Sequence, residues 1–313
     1  MTVCRCSREA EWPTIPGSGA IHWIRSFMTF WIAVLLGTVQ GLFMFLPVSS
    51  TAHLVLTQHW LIGRGADLPP PDSAEMILFD LVVHVGTLIS IVIVFRRSLY
   101  RFTAGCLHGV RDLLQRPSAL PLPLRLLLLL ALSVLATGVI GITFKLFFEG
   151  IFARPWAVAI TMACTGALLW ITDRLPPRPL GLRQIGPRTA LVIGMAQGLA
   201  LMPGISRSGI TIAASLLLGL KRRWAAEYSF FLAIPTILAA TLVQALELQA
   251  AGGATRIDGV ALFTGFVVAA AVGTAALYLV VRLLYQARLR IFAWYLWLMA
   301  GLILLGVVPL SGY

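Results

Sequence analysis

Hydrophobic residues in this chain occur in long runs that charged residues rarely interrupt. Six of these runs approach the roughly 20 apolar residues that a membrane-spanning helix requires. They cover 76–95, 125–143, 155–171, 225–246, 259–281 and 291–309. The pattern predicts an all-α integral membrane protein with about six transmembrane helices.

Two further apolar regions, 27–62 and 189–220, are each broken near their middle. The first break reads Leu-Pro-Val-Ser-Ser at 46–50, and the second reads Pro-Gly-Ile-Ser-Arg-Ser at 203–208. Proline and glycine beside hydroxyl residues interrupt a helix. Within lipid, such a break is tolerated only where protein or a polar cavity satisfies the freed backbone groups. We therefore predict two re-entrant hairpins that reach the middle of the membrane and return.

Composition and charge support a membrane location and fix an orientation. Hydrophobic residues make up 59% of the chain and charged residues 12%, whereas soluble domains are about 45–50% apolar and about 25% charged. The net charge of +12 lies mainly in the short connections 96–125, 172–188, 221–223 and 282–290. Basic connections of this kind mark the cytoplasmic side, so they do not indicate a nucleic-acid partner. The first hairpin then enters from the outer face and the second from the inner face.

The two broken regions also resemble each other in sequence. Gln-Gly-Leu at 40–42 precedes Pro47, and Gln-Gly-Leu at 197–199 precedes Pro203. Interrupted segments at matching positions in oppositely oriented halves indicate an inverted repeat with its site at the midplane. We predict halves of about 27–143 and 155–309 within one membrane domain, 26–313, after an N-terminal extension of residues 1–25.

The second break carries the strongest candidate chemistry. Ser206, Ser208 and Thr211 place hydroxyls at the start of a helix, whose free N–H groups favour an anion, and Gly204 allows close backbone approach. Arg207 lies in the same segment, where a charge inside the membrane is costly and usually functional. A guanidinium can bind two phosphate oxygens at once. The structural alternative is an arginine that reaches the membrane surface beside hydroxyls that cap a kink.

The first break supplies Ser49, Ser50, Thr51 and His53, of which we expect Ser49 and Thr51 to contribute to phosphate binding. Ser50 and His53 are three residues apart and so share one face of a helix. This spacing suits a serine nucleophile with a histidine base, or a histidine nucleophile with a hydroxyl helper. Hydrogen bonding between helices is the structural alternative, and the facing Arg207 favours the functional one.

Three more ionisable residues lie inside or at the start of apolar runs. Asp80 and His84 are four residues apart on one helix face, and Glu227 begins a predicted span. Each could orient the site or bind a metal. Asp80 could equally pair with a neighbouring helix, and Glu227 could favour its helix N-terminus.

The segments 39–53, Val-Gln-Gly-Leu-Phe-Met-Phe-Leu-Pro-Val-Ser-Ser-Thr-Ala-His, and 196–211, Ala-Gln-Gly-Leu-Ala-Leu-Met-Pro-Gly-Ile-Ser-Arg-Ser-Gly-Ile-Thr, resemble two signature motifs. They are those of the undecaprenyl-diphosphatase family, also called the bacitracin-resistance protein family. The segments 79–87 and 227–235 are similar to it as well. The resemblance implies six spanning helices, two re-entrant hairpins and hydrolysis of undecaprenyl diphosphate to the monophosphate. That reaction recycles the lipid carrier of the cell wall at the outer face of the bacterial cytoplasmic membrane.

The resemblance also implies roles for individual residues. Ser50 and His53 match the nucleophile and acid/base candidates, and Gln40 matches a polar position of the first motif. The phosphate-binding residues of the second motif match Arg207, Ser206, Ser208 and Thr211. A divalent cation, magnesium or calcium, usually assists in the family, and a homodimer is an open expectation for the assembly.

The chain departs from the family pattern at two positions. Met44 occupies a position that is acidic in the family, and Leu296 follows Tyr295 where the family has Tyr-Arg. A thioether cannot take a proton at neutral pH and is a poor ligand for magnesium or calcium. The loss of the carboxylate leaves an alternative open, in which the protein carries a phosphorylated polyprenyl lipid across the membrane without cleaving it.

Overall fold

The computed structural model describes residues 18–66, 68–70, 73–115, 120–152, 155–250 and 258–307. These residues form helices and no strand, which confirms the predicted all-α class. The helices are α1 Ser18–Phe45, α2 Ser50–Gly63, α3 Ala74–Gln115, α4 Leu122–Phe152, α5 Pro155–Asp173, α6 Pro187–Leu199, α7 Arg207–Leu217, α8 Arg222–Ala250, α9 Gly259–Tyr285 and α10 Arg290–Leu304. A short 3-10 turn, Leu182–Gln184, precedes α6.

Five of these helices are long and apolar enough to cross a membrane, namely α3, α4, α5, α8 and α9. The sixth predicted run, 291–309, forms α10, whose 15 residues extend about 22 Å at 1.5 Å per residue. That is less than the roughly 30 Å of a bilayer core. The spans otherwise follow the sequence prediction. Residues 1–17 of the predicted extension, 1–25, lie outside the described residues. The remaining residues of the extension belong to α1, which begins at Ser18.

Both predicted breaks separate two helices. α1 ends at Phe45 and α2 begins at Ser50, so the proline of the first break falls between them. α6 ends at Leu199 and α7 begins at Arg207, with Pro203 in the interval. Within each pair the two helices pack against each other, α1 on α2 and α6 on α7. The chain therefore contains two helical hairpins at the predicted positions.

Helix packing follows a repeated plan in the two halves of the chain. α1 packs along α9 as α6 packs along α4, and α3 contacts α9 as α8 contacts α4. α3 packs on α8, and α5 packs on α10, each pairing equivalent elements of the two halves. In this correspondence α5 matches α10, and the predicted halves of 27–143 and 155–309 stay a prediction.

Small residues set how closely the first hairpin approaches its neighbour. A Cβ on Gly41 would lie 2.7 Å from the carbonyl oxygen of Ala269, and one on Gly37 would lie 2.8 Å from that of Gly265. Small residues at such crossings allow backbones to approach closely in membrane proteins. The end of α1, which carries Gln40 and Met44, is thereby held against α9.

Candidate functional site

The two helix breaks meet inside the helical bundle. Ser208 Oγ donates a hydrogen bond of 3.2 Å to the carbonyl oxygen of Phe45 at the end of α1. A Cβ placed on Gly209 would lie 3.2 Å from Cβ of Pro47. The N-terminus of α7 is therefore fixed directly against the turn that joins α1 to α2.

The turn before α7 leaves no room for a side chain at its glycine. Gly204 has φ +88°, a left-handed conformation, and a Cβ there would lie 2.2 Å from Thr161 Oγ1. Thr161 Oγ1 donates to the carbonyl oxygen of Pro203 at 2.5 Å, which ties the turn to α5. Ser206 caps α7 by accepting from the N–H of Gly209 at 3.2 Å. These contacts place Arg207 at the first residue of α7, beside N–H groups that favour an anion.

Three polar groups converge on the buried sulfur of Met44. The sulfur lies 3.5 Å from Gln40 Nε2, 3.8 Å from Ser50 Oγ and 3.8 Å from Arg207 Nη2. Because both atoms lie 3.8 Å from the same sulfur, Ser50 Oγ and Arg207 Nη2 are at most about 7.6 Å apart. A thioether is only a weak acceptor, so both donors remain available to a stronger one.

Arg207 is partly buried, and its charge has no carboxylate partner among the described residues. Gln40 is fully buried, and its amide nitrogen faces the Met44 sulfur at 3.5 Å and can donate to an anion, while its Oε1 has no partner among the described residues. A buried cation without a counter-ion is costly, and a bound anion would remove that cost. The site is thus arranged for a negatively charged group.

The ring of His53 is held on both of its nitrogens. Nδ1 donates to the carbonyl oxygen of Ser49 at 2.7 Å, because a carbonyl can only accept. In the neutral ring Nε2 then accepts from the hydroxyl of Tyr295 on α10, at 2.5 Å. The ring also stacks on Phe43, with centroids 4.0 Å apart. Ser49 has φ +68°, a strained conformation for a non-glycine residue that is common at functional sites.

Ser50 and His53 lie on the same side of α2, but no hydrogen bond joins them in the part of the chain that the structure describes. The serine hydroxyl points to the Met44 sulfur and the imidazole points to Tyr295. Hydrogen bonds between catalytic groups are often long before substrate binds. The predicted nucleophile and base are therefore neighbours without a direct bond in this structure.

The predicted phosphate-binding hydroxyls of α7 make internal hydrogen bonds. Ser206 caps the helix, Ser208 bonds to α1, and Thr211 Oγ1 lies 2.5 Å from Ser229 Oγ on α8. All three side chains are buried. In this arrangement they position Arg207, and their direct contact with phosphate stays a prediction. Thr51, on α2, is exposed, and its predicted role is likewise open.

The three supporting candidates separate. Asp80 accepts from Gln58 Nε2 at 3.4 Å, and His84 Nδ1 donates to the backbone oxygen of Asp80 at 2.7 Å. His84 is close enough to Arg207 to interact with it electrostatically. Glu227 instead forms a salt bridge of 3.1 Å with Arg223, near the start of α8. His84 is thus the supporting candidate with an interaction with Arg207, whereas Asp80 pairs with Gln58 and Glu227 with Arg223.

The donors at the site do not form a cage for magnesium or calcium. Both ions prefer oxygen ligands, usually including carboxylates, whereas Met44 offers a soft sulfur. The contacts of this sulfur include the amide nitrogen of Gln40 and the hydroxyl of Ser50, and neither is a carboxylate. Among the described residues, no group of three His, Cys, Asp or Glu side chains could hold a metal.

Tyr295 is a site residue that the sequence analysis identified only as part of a departure from the family pattern. It reaches His53 across 242 positions of the chain, a contact that no local spacing could reveal. Its neighbour Leu296 is fully buried in the core. The available signal was a phenol within an otherwise apolar helix, which usually seeks a hydrogen-bond partner when buried.

Fold and site together define an all-helical integral membrane protein with a cationic site between two helical hairpins. The chain matches the family described as "Bacitracin resistance protein BacA" over residues 33–302. It is 60% identical over 285 residues to an undecaprenyl-diphosphatase of Halorhodospira halophila, covering 90% of this chain and 99% of the relative. Proteins of the same name from Alkalilimnicola ehrlichii and Desulfosudis oleivorans are 58% and 38% identical, covering 91% and 87% of this chain and 99% and 96% of theirs. The chain belongs to the bacitracin resistance protein BacA family, as its two motifs predicted.

Proposed function

We propose that this protein hydrolyses undecaprenyl diphosphate to undecaprenyl monophosphate and inorganic phosphate. The observation that carries the proposal is the convergence of Ser50 and Arg207, which no carboxylate of the described residues bridges, on one point between the two hairpins. The relatives named undecaprenyl-diphosphatase, at 58–60% identity over most of the chain, support the same reaction. This reaction returns the lipid carrier for another round of cell-wall synthesis.

In the proposed reaction, Arg207 and the first N–H groups of α7 bind the terminal phosphate. A guanidinium and a helix N-terminus stabilise the charge that spreads over the phosphoryl oxygens during transfer. Ser50 Oγ attacks the terminal phosphorus. A bond forms between Oγ and phosphorus, the bond from phosphorus to the bridging oxygen breaks, and undecaprenyl monophosphate leaves with that electron pair. Water then hydrolyses the phosphoserine and releases inorganic phosphate.

His53 is the proposed acceptor of the Ser50 proton. It is one turn further along α2, and its Nε2 becomes free to accept when the Tyr295 hydroxyl turns away. Tyr295 and the Ser49 carbonyl hold the ring in one tautomer and orientation. Positioned bases of this kind contribute roughly 10²–10⁴-fold to a rate. The alternative assignment, with His53 as nucleophile, stays open, because either role requires Nε2 to be released by Tyr295.

A divalent cation stays a proposal with weaker support than the rest. Met44 removes the carboxylate that would be a natural ligand, and the reaction above depends on groups of the chain alone. Magnesium or calcium could still bind through the pyrophosphate itself, since Mg²⁺ is often held largely by substrate phosphates. Activity with and without these ions decides the matter.

The protein is proposed to act in the bacterial inner membrane with its site open to the outer face. The support is the concentration of basic residues at one end of the bundle, in the connections 96–125, 172–188, 221–223 and 282–290, under the positive-inside rule. The prenyl tail would then lie between helices and the pyrophosphate at the midplane. A homodimer stays a prediction. The carrier alternative is not favoured, because the relatives are named as diphosphatases.

The proposal is tested with protein purified in detergent and undecaprenyl diphosphate as substrate. We expect release of inorganic phosphate, and its loss in the Ser50→Ala variant. A phosphate-labelled peptide containing Ser50, trapped by acid quenching, would identify the nucleophile. Movement of the lipid between leaflets of a vesicle without release of phosphate would contradict the proposal and favour the carrier.

A further inference from the structure

A second cavity lies at the basic end of the bundle, away from the site described above. α3 is 42 residues long, about 63 Å at 1.5 Å per residue, and so it must extend beyond a bilayer core of roughly 30 Å. It kinks at Phe95, where φ is −100° and ψ is 16°, immediately before Arg96 and Arg97. Beyond the kink, the helix turns a partly apolar face toward α4, where a Cβ on Gly105 would lie 2.8 Å from Pro123.

The cavity is an open cleft lined by this end of α3, the start of α4 and the start of α8. Its volume is about 250 Å³. Its walls are mostly apolar and include Phe102, Leu126, Leu130 and Phe231. An apolar cavity is not filled well by water, but it accommodates a hydrocarbon chain. None of the groups that converge on Met44 lines it.

The charged groups at the cavity leave one arginine available. Glu227 lines the cavity, and its carboxylate is paired with Arg223 at 3.1 Å. Arg101 also lines the cavity and is exposed. Its guanidinium contacts the backbone oxygen of Arg97 at 3.2 Å and the hydroxyl of Ser98 at 3.5 Å, and no carboxylate in the described ranges is bridged to it. The rim therefore presents a net positive charge.

We infer that this cavity binds an anionic phospholipid of the surrounding bilayer. The phosphate of the headgroup would pair with Arg101, whose planar fork suits phosphate oxygens. An acyl chain would lie along Phe102, Leu126 and Phe231. Basic pockets between transmembrane helices at the cytoplasmic side are suited to anionic lipid headgroups. Trp224, which also lines the cavity and stacks with Arg223 at 4.8 Å, is of the residue type that lies at the headgroup level.

The test compares binding of two lipids that differ only in headgroup. Native mass spectrometry of the detergent-purified full chain is titrated with phosphatidylglycerol or phosphatidylcholine carrying identical acyl chains. We expect the first phosphatidylglycerol to bind about tenfold more tightly than phosphatidylcholine, as a charge-assisted pair predicts. Arg101→Gln should abolish the preference. The matched control Arg111→Gln changes an exposed arginine ten residues further along the same helix and should keep it.

Further arms separate this cavity from the active site and from a simple charge effect. Arg207→Ala should keep the phosphatidylglycerol preference, since Arg207 lies in the other site. Equal binding of the two lipids by the unaltered protein would overturn the inference. Equal losses in Arg101→Gln and Arg111→Gln would also overturn it, because they would show only a general attraction to positive charge. Displacement of the lipid by millimolar inorganic phosphate would show that the chains contribute nothing, and would overturn it as well.

Discussion

Replacing Met44 with glutamate should restore a carboxylate at the point where the groups of the site meet. The carboxyl carbon of glutamate is as many bonds from the backbone as the sulfur of methionine. Its oxygens extend about 1.2 Å further, which would bring the distance to Ser50 Oγ from 3.8 Å to about 2.6 Å. That is the distance of a strong hydrogen bond from a hydroxyl to a carboxylate. The new group would also pair with Arg207, so its charge would not be isolated.

Two opposing effects follow from this change. A carboxylate at 2.6 Å could take the Ser50 proton, and a positioned base contributes about 10²–10⁴-fold to kcat. The same charge would repel the pyrophosphate by about 4 kcal/mol at 4 Å and an effective dielectric constant of 20, which is nearly three decades in binding. A divalent cation bridging the carboxylate and the pyrophosphate would remove this repulsion. Met44→Glu should therefore raise kcat and should gain activity mainly when the cation is present.

The assay is phosphate release by purified protein, in EDTA and in millimolar magnesium or calcium. We expect the stimulation of kcat/KM by the cation to be about tenfold or more greater in Met44→Glu than in the unaltered protein. Met44→Gln is the matched control, since it has the same shape without the charge, and it should gain no cation dependence. Equal behaviour of the Glu and Gln variants would refute the reasoning that Met44 occupies the position of a functional carboxylate.

Three other substitutions test single contacts. Tyr295→Phe removes the hydroxyl at His53 Nε2 and should lower kcat about tenfold. It should lower the free energy of unfolding by only about 1 kcal/mol. An unchanged pH–rate profile would argue against a role for this contact. Gly204→Ala should lower the melting temperature in detergent, because a left-handed backbone and the 2.2 Å approach of Thr161 Oγ1 cost about 1–3 kcal/mol; an unchanged melting temperature would contradict that turn. Thr211→Val should lower stability and leave KM unchanged, since its hydroxyl is bonded inside the protein; a large rise in KM would instead make it a phosphate ligand.

The fold could be predicted from the sequence largely because lipid leaves few choices. In lipid, a run of about 20 apolar residues satisfies its backbone hydrogen bonds by forming a helix. The breaks at 46–50 and 203–208 therefore had to lie where other parts of the protein could satisfy their backbone groups. The exception was the last run, because an apolar run does not fix where a helix ends. The division of the repeat into halves stays a prediction, since it depends on which helices correspond and not only on which of them pack together.

The site was predicted in part, and the missing part is long-range. The facing breaks and Arg207 followed from composition, because an arginine amid hydroxyls and glycines is costly in a membrane without an anion. Local spacing suggested a Ser50–His53 pair, whereas the structure joins His53 to Tyr295. Glu227 was left between a site role and a role at its helix start, and the structure pairs it with Arg223 one turn away, a spacing that the sequence already contained. The residue types indicated the chemistry of the site, and only the packing of the helices showed which side chains contact one another in it.

The central claim is that Arg207 binds the phosphate that is released. Its most direct test is the rate of phosphate release from undecaprenyl diphosphate by Arg207→Ala and Arg207→Lys, beside the unaltered protein. We predict that alanine lowers kcat/KM by about 10²–10³-fold, the effect of removing one main electrostatic donor. Lysine should restore part of it, because it keeps the charge without the planar fork. Both variants should keep the melting temperature of the unaltered protein. Unchanged phosphate release by a folded Arg207→Ala protein would contradict the account.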